Sequence, residues 1–144
     1  MFETMIRPCM HLLHALGVIA LLASGPLHAA ENPLAGYLWE ARPVVVFADS
    51  PKDPRYQKQM EDFARREPDI LERDVVLLTD TDPAANGPLR QKLRPRGFMM
   101  VLIGKDGEIK LRRPNPMSVD ALTRLIDRIP LRQQEIDERR RLQD

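Results

Sequence analysis

The chain has 144 residues, with 22 Lys and Arg against 21 Asp and Glu, and a net charge of +1 at neutral pH. Because the charges are nearly balanced, the chain has no strong positive electrostatic field that would attract nucleic acid or an anionic membrane. We expect neither as a partner. The single cysteine and all three histidines lie within the first 28 residues, at Cys9, His11, His14 and His28.

The first 30 residues have the parts of a secretory signal. Arg7 precedes an apolar run over residues 10–23, and a Gly-Pro break with small residues follows it. We expect cleavage after Ala29 or Ala30 and therefore a periplasmic or secreted protein, with no stable membrane span after cleavage. An uncleaved anchor is the alternative. Cleavage would remove every thiol and imidazole from the chain.

Residues 31–130 are predicted to form one domain, followed by a charged helical tail over residues 131–144. After an aromatic lead-in, the apolar run at residues 43–48 predicts a central strand that is buried on both faces. Pro54 suits the first position of a helix. The apolar face of that helix carries Tyr56, Met60, Phe63 and Ala64, and Pro68 interrupts it.

The second half of the domain predicts three more strands. Residues 74–79 and 98–103 are apolar runs typical of buried strands, and a short helix is expected at residues 89–93 between them. The turn at residues 104–107 then leads into residues 108–112, which alternate as an edge strand does. Ser118 can cap a last helix, whose buried stripe is Val119, Leu122, Ile126 and Ile129, with Pro130 after it.

This order predicts an α/β fold with a four-stranded mixed sheet and a β-α-β-β-α core, which resembles thioredoxins. In thioredoxins the redox cysteine pair opens the first helix, where the helix N-terminus lowers the pKa of a thiol. The corresponding positions here are Lys52 and Arg55, which cannot exchange disulfides. Thioredoxins also have a proline before their third strand, and this chain has Met99 near that position. The scaffold is therefore similar, but thiol redox activity is excluded for a mature chain without cysteine.

Several segments narrow the resemblance. They are Leu34 with Tyr37-x-Trp39-x-x-Arg42, residues 44–47, 72–75 and 102–107, and the stretch 125–135 with Asp127, Pro130, Arg132 and Glu135. Together these segments resemble the family called domain of unknown function 4174. The resemblance implies a thioredoxin-like fold and an extracytoplasmic location, because the family occurs in secreted bacterial proteins and in vertebrate matrix proteins with sushi repeats. It implies no particular activity.

Aspartates follow the first two predicted strands. Asp49, Asp53, Asp80 and Asp82 would lie at the carboxyl ends of those strands, where open α/β sheets bind ligands. Carboxylate oxygens suit Ca²⁺ or Mg²⁺, so Asp49, Asp80 and Asp82 are candidates for a cation or small-ligand site. The alternative is that they are turn and helix-capping residues.

Other positions suggest contact with a partner. Lys52 and Arg55 at the helix start could meet an anion, and Tyr37 and Trp39 either cover the core or form an exposed anchor. Arg42, Arg73 and Asp74 are interpreted as structural ion pairs at strand ends, and the arginine runs at 112–113 and 139–141 as solvated faces.

Two functions follow from these features. The first is a non-redox binding module for an envelope or extracellular protein or a small ligand, with no cofactor. The alternative is a cation-dependent enzyme that uses the carboxylates of Asp49 and Asp80.

Overall fold

The computed structural model describes residues 31–144, so the predicted signal segment, its cleavage site and Cys9 lie outside the described residues. The sheet has four strands in the order β2-β1-β3-β4. They are β1 (Arg42–Phe47), β2 (Val75–Asp80), β3 (Met99–Ile103) and β4 (Ile109–Arg113). β1 pairs in parallel with β2 and antiparallel with β3, which pairs antiparallel with β4. The predicted mixed four-stranded sheet is confirmed.

The position of each strand explains its composition. All six residues of β1 are buried, because the strand lies between two neighbours and has helices on both faces. β4 is an edge strand of the sheet, and none of its five residues is fully buried. The continuous apolar run of β1 and the alternating run of β4 therefore match the centre and one edge of the sheet. β2 forms the other edge, and only Val75 of its six residues is fully buried, so the prediction of a buried strand at residues 74–79 was wrong.

Five α-helices and one short 3-10 helix surround the sheet. The 3-10 helix is Ala35–Tyr37, and the α-helices are α1 (Pro54–Arg65), α2 (Glu67–Leu71), α3 (Pro88–Leu93), α4 (Val119–Asp127) and α5 (Pro130–Arg141). Every α-helix except α4 has a proline in its first turn. The missing N–H of proline costs nothing there, because the first N–H groups of a helix have no partner within it. α4 begins instead with Ser118, whose hydroxyl accepts the N–H of Ala121 at 3.3 Å.

Apolar side chains form a core on each face of the sheet. Val44 and Val46 of β1 face the core under α1 and α4, whereas Val45 and Phe47 face the core under α3 and the lead-in. Burial of the α4 stripe is confirmed at Val119, Leu122 and Ile126, while Ile129 is only half-buried. Within residues 31–144, no helix combines the length and apolar character that crossing a bilayer requires.

The predicted tail is helical, but its first turns are part of the folded domain. Arg132 of α5 is 1% exposed, and α5 has few apolar residues with which to pack. Charged contacts therefore fasten this helix.

Candidate functional site

The sheet brings four of the predicted site residues to one end. β1 and β2 run in parallel and Phe47 pairs with Asp80, so Asp49, Lys52 and Arg55 follow β1 at the end where β2 finishes. We call this end the carboxyl edge. Asp49 and Lys52 are exposed there.

Arg90 forms a salt bridge with Asp80. Its Nε donates to Asp80 Oδ1 at 2.8 Å, and its Nη2 donates to the carbonyl oxygens of Ala48 at 2.7 Å and Asp80 at 3.1 Å. The guanidinium also lies over the ring of Phe47, 5.5 Å from its centroid. Arg90 is 7% exposed, so this contact is a buried brace between α3 and the ends of β1 and β2.

Asp80 and Asp82 are engaged within the protein, whereas the exposed Asp49 has no side-chain bond with any residue in 31–144. Asp82 Oδ1 accepts the N–H groups of Ala84 at 3.1 Å and Ala85 at 3.3 Å. Among residues 31–144, no three Cys, His, Asp or Glu side chains are placed to share a metal ion. The cation site at Asp49, Asp80 and Asp82 stays a prediction, and Asp80 Oδ1 is already bonded to Arg90.

The start of α1 is closed by its own residues. Asp53 Oδ1 accepts the N–H of Arg55 at 2.8 Å, and Asp53 Oδ2 bonds the guanidinium of Arg55 at 2.8 Å. The hydrogen bond from Arg55 lowers the pKa of Asp53, and the same bond raises the pKa of Arg55. Arg55 also lies over the ring of Phe98, 5.5 Å from its centroid. Of the two predicted anion-binding residues, only Lys52 lacks a side-chain partner among the described residues.

The two predicted aromatic residues lie at the opposite end of the sheet, which we call the amino edge. Tyr37 is half-buried and packs against the core under α3. Trp39 is 63% exposed, and its backbone N–H donates to the carbonyl oxygen of Lys105 at 2.7 Å. It has a φ of 64°, a left-handed conformation that L-residues adopt at a cost of about 1 kcal/mol. For Trp39, the structure shows the exposed alternative.

A cluster of charged side chains also lies at the amino edge, and we call it the amino-edge network. It consists of Arg42, Glu72, Arg73, Asp74, Lys105, Asp127, Arg132, Glu135 and Arg139. Arg42 is 0% exposed at its centre, where it donates to Glu135 Oε1 at 2.9 Å and to the carbonyl oxygen of Arg73 at 2.9 Å. Its Nε is buried with no hydrogen-bond partner among the described residues. The structural interpretation of Arg42, Arg73 and Asp74 is confirmed.

The other contacts of this network hold α4 and α5 against the rest of the domain. Lys105 Nζ lies 3.0 Å from Glu135 Oε1, and Arg132 bonds Glu72 at 3.1 Å. Arg73 holds both carboxylate oxygens of Asp127, at 2.9 and 2.7 Å. Such bidentate, charge-assisted bonds are among the stronger polar contacts in proteins. The Arg73–Asp127 pair fixes the end of α4, while the bonds of Arg132 and Glu135 hold α5 in place of the apolar stripe that it lacks.

Both central carboxylates remain ionised in the network. Burial opposes ionisation of Asp127, but the contacts with Arg73 and Arg132 outweigh burial and lower its pKa. The same balance holds at Glu135, where Arg42 and Lys105 overcome the effect of burial and lower the pKa. These two carboxylates are therefore suited to holding the fold together as buried partners of the cations.

Comparison with protein-family models gives a match to "Domain of unknown function (DUF4174)" over residues 33–135. The chain belongs to the DUF4174 family. The DUF4174 match begins before the 3-10 helix and ends at Glu135, the α5 residue that bonds Arg42. It therefore spans the whole sheet and nearly all of the amino-edge network. No curated protein matches the sequence.

Solved structures resemble this DUF4174 domain in fold. Reduced 2-Cys peroxiredoxin from Plasmodium vivax aligns with a TM-score of 0.57 and 14% identity, over 70% of this chain and 84% of the other. A structure described as a malarial protein has a TM-score of 0.50 and 18% identity, over 60% and 94% of the two chains. StoA from Bacillus subtilis, at 13% identity over 59% and 81%, has a TM-score of 0.39, too low to carry an argument. The thioredoxin-like fold of the DUF4174 domain is thus shown.

Three buried polar residues of the DUF4174 domain were not singled out from the sequence as buried contacts. Gln59 is 0% exposed and exchanges two hydrogen bonds with the backbone of Met117, at 3.0 and 2.7 Å. It stands four residues before Phe63 on the apolar face of α1, and that placement was the available signal. Arg132 lies in the stretch 125–135 that resembles the family, and that resemblance was its signal. Arg90 had no local signal, because its partners come from two other elements.

Proposed function

We propose that residues 31–144 form a non-redox binding module that works in the periplasm or outside the cell after removal of residues 1–30. Its target is an envelope or extracellular protein, with a small ligand as the other possibility. The observation that carries the proposal is the indole of Trp39, the largest of the exposed apolar side chains in residues 31–144.

The composition of the thioredoxin-like scaffold supports a role without redox chemistry. Lys52 and Arg55 stand at the start of α1, where thioredoxins hold their sulfurs, and residues 31–144 contain no cysteine. A shared fold does not carry the activity of its relatives, so the resemblance to a peroxiredoxin gives no reason to expect peroxidase activity here.

The setting of Trp39 supports a role in contact. Leu38 beside it is 45% exposed, so the two side chains present adjacent apolar surface. The bond from Trp39 N–H to Lys105 fixes the backbone beneath the indole. A rigid, exposed tryptophan loses little conformational freedom on binding, and interface hot spots are enriched in tryptophan.

The experiment compares three proteins as bait in crosslinking and affinity capture from the native envelope fraction. They are the wild-type chain, Trp39→Ala, and Leu142→Ala as a control that removes another exposed apolar side chain, 87% exposed. We expect one partner to be enriched by the wild type and the control and lost with Trp39→Ala. With that partner purified, Trp39→Ala should weaken binding by about 2 kcal/mol, roughly 30-fold in Kd.

Trp39 is the only tryptophan of the chain, so its fluorescence reports directly on its surroundings. Partner binding should shift the emission of the wild-type protein to shorter wavelength, because the indole leaves water. Equal capture by all three proteins, with unchanged emission, would remove Trp39 from the contact and the proposal with it.

A further inference from the structure

A groove along α3 is positively charged, although the chain as a whole is nearly neutral. No Asp or Glu occurs between Asp82 and Asp106, yet this stretch contains five cations: Arg90, Lys92, Arg94, Arg96 and Lys105. Arg90 pairs with Asp80, and Lys105 pairs with Asp74 and Glu135. Lys92, Arg94 and Arg96 form no ion pair with any residue in 31–144. Near this α3 segment, positive charge is therefore uncompensated on a chain that is almost neutral overall.

The uncompensated charge lines real concavities. One cavity of about 600 Å³ lies between the lead-in and α3 and is lined by Pro33, Pro88, Lys92 and Arg94, among others. A second of about 560 Å³ lies on the other side of α3, and Gln91 and Arg94 line both. Arg94 therefore stands where the two cavities adjoin, and we call the pair the α3 groove.

The walls of the α3 groove are firmly built. Gln91 Nε2 donates to the carbonyl oxygen of Asn86 at 2.8 Å and ties the preceding loop to α3. Arg112 of β4 donates to the carbonyl oxygen of Leu93 at 2.6 Å, which brings a further cation beside Lys92 and Arg94. Arg94 itself has a φ of 47° at the end of α3, a conformation that glycine adopts more readily than arginine.

We propose that the α3 groove binds an acidic, extended segment of a partner protein. The guanidinium of Arg94 and the ammonium of Lys92 would pair with carboxylates, and the prolines of the walls would cover aliphatic side chains between them. A small dicarboxylate would fill only part of the two adjoining cavities, whereas an extended segment could contact the lining of both. Glu31 is the only acidic residue among those lining either cavity. Its negative charge would repel a carboxylate of the partner at that end of the groove.

This inference extends the binding role proposed above to a second surface, and it does not depend on Trp39. Trp39 lies at the amino edge beside Lys105 and lines neither cavity of the α3 groove. The two surfaces can therefore be tested separately.

The probe is a fluorescein-labelled peptide, Glu-Val-Glu-Val-Glu-Val-Glu, with the matching Gln-Val peptide as a neutral comparison. Fluorescence anisotropy with the chain from residue 31 should show the acidic peptide binding at least about tenfold tighter than the neutral one at low salt. The affinity should fall several-fold when salt is raised to about 300 mM, since exposed charges are then screened.

Lys92→Glu/Arg94→Glu should weaken binding of the acidic peptide at least about tenfold. The control Arg124→Glu/Arg128→Glu makes the same change in net charge at an exposed residue of α4 and at the exposed residue that follows it, and should change binding less than about twofold. Trp39→Ala should bind the peptide as the wild type does, which separates this surface from the first. Circular dichroism would verify that all variants keep the fold.

Three results would overturn the proposal. They are equal weakening by the groove variant and the control, equal binding of the acidic and neutral peptides, and no binding of the acidic peptide at millimolar concentration. Binding of a sulfated polysaccharide or of phosphatidylglycerol vesicles in place of the peptide would equally assign the groove to a different partner.

Discussion

Glu135→Ala should destabilise the domain by about 3 kcal/mol, because it removes the counter-charge of a buried arginine. The change deletes the bonds from Arg42 at 2.9 Å and Lys105 at 3.0 Å, and the side chain of Arg42 has no exposed surface. Breaking a buried ion pair by removing one partner costs about 3–5 kcal/mol. The lower end applies, since the Glu135 side chain is 16% exposed and Asp74 stays 4.0 Å from Arg42.

Urea unfolding at pH 7, followed by circular dichroism, measures this loss directly. At a typical dependence of about 2 kcal/mol per molar urea, the midpoint should fall by roughly 1.5 M. The control is Asp137→Ala on the same helix, which deletes an exposed pair with Arg140 at 3.7 Å and should cost under about 0.5 kcal/mol. Equal midpoints for the two variants would refute the view that α5 is held by the buried charges.

Two further outcomes are expected. The pKa values of Asp127 and Glu135 are lowered in the folded protein, so the unfolded chain takes up protons first on acidification. The stability that these carboxylates provide should therefore be complete near neutrality and should be lost as pH falls below about 4 to 5. Urea midpoints measured from pH 7 to pH 3 test this, and a flat profile would contradict it. The chain from residue 31 should leave insulin disulfides intact while thioredoxin reduces them in parallel, because these residues contain no thiol; measurable turnover would show that another group does the chemistry.

The sequence predicts the sheet well because its strands are written in local patterns. β1 and β3 are short apolar runs rich in valine, isoleucine and other large side chains, and their length between turn signals favours a buried strand. The apolar run of β2 was less informative, because this strand lies at an edge of the sheet. The first boundary was shifted by one residue, from a predicted 43–48 to Arg42–Phe47. Arg42 joins the strand because its N–H donates to the carbonyl oxygen of Asp74 at 2.7 Å and its charge is satisfied by distant partners.

The surfaces were harder to predict than the core. The sequence left open whether Trp39 covers the core or forms an exposed anchor, and the structure shows it exposed, with a left-handed φ of 64°. Asp80 was predicted as a ligand, and its pairing with Arg90, ten residues later, was missed. Partners of this kind are set by the packing of α3 against the sheet, which no short stretch of sequence encodes.

The amino-edge network has a consequence for the order of folding. It joins Arg42, in the first strand, to Glu135, in the last helix, across 93 residues of sequence. Contacts between segments so far apart form after the loops between them have closed. Substitutions such as Glu135→Ala should therefore leave the refolding rate nearly unchanged and accelerate unfolding. The charges at this edge would then determine chiefly how long a folded molecule lasts, a property that matters most where a chain cannot be refolded with assistance.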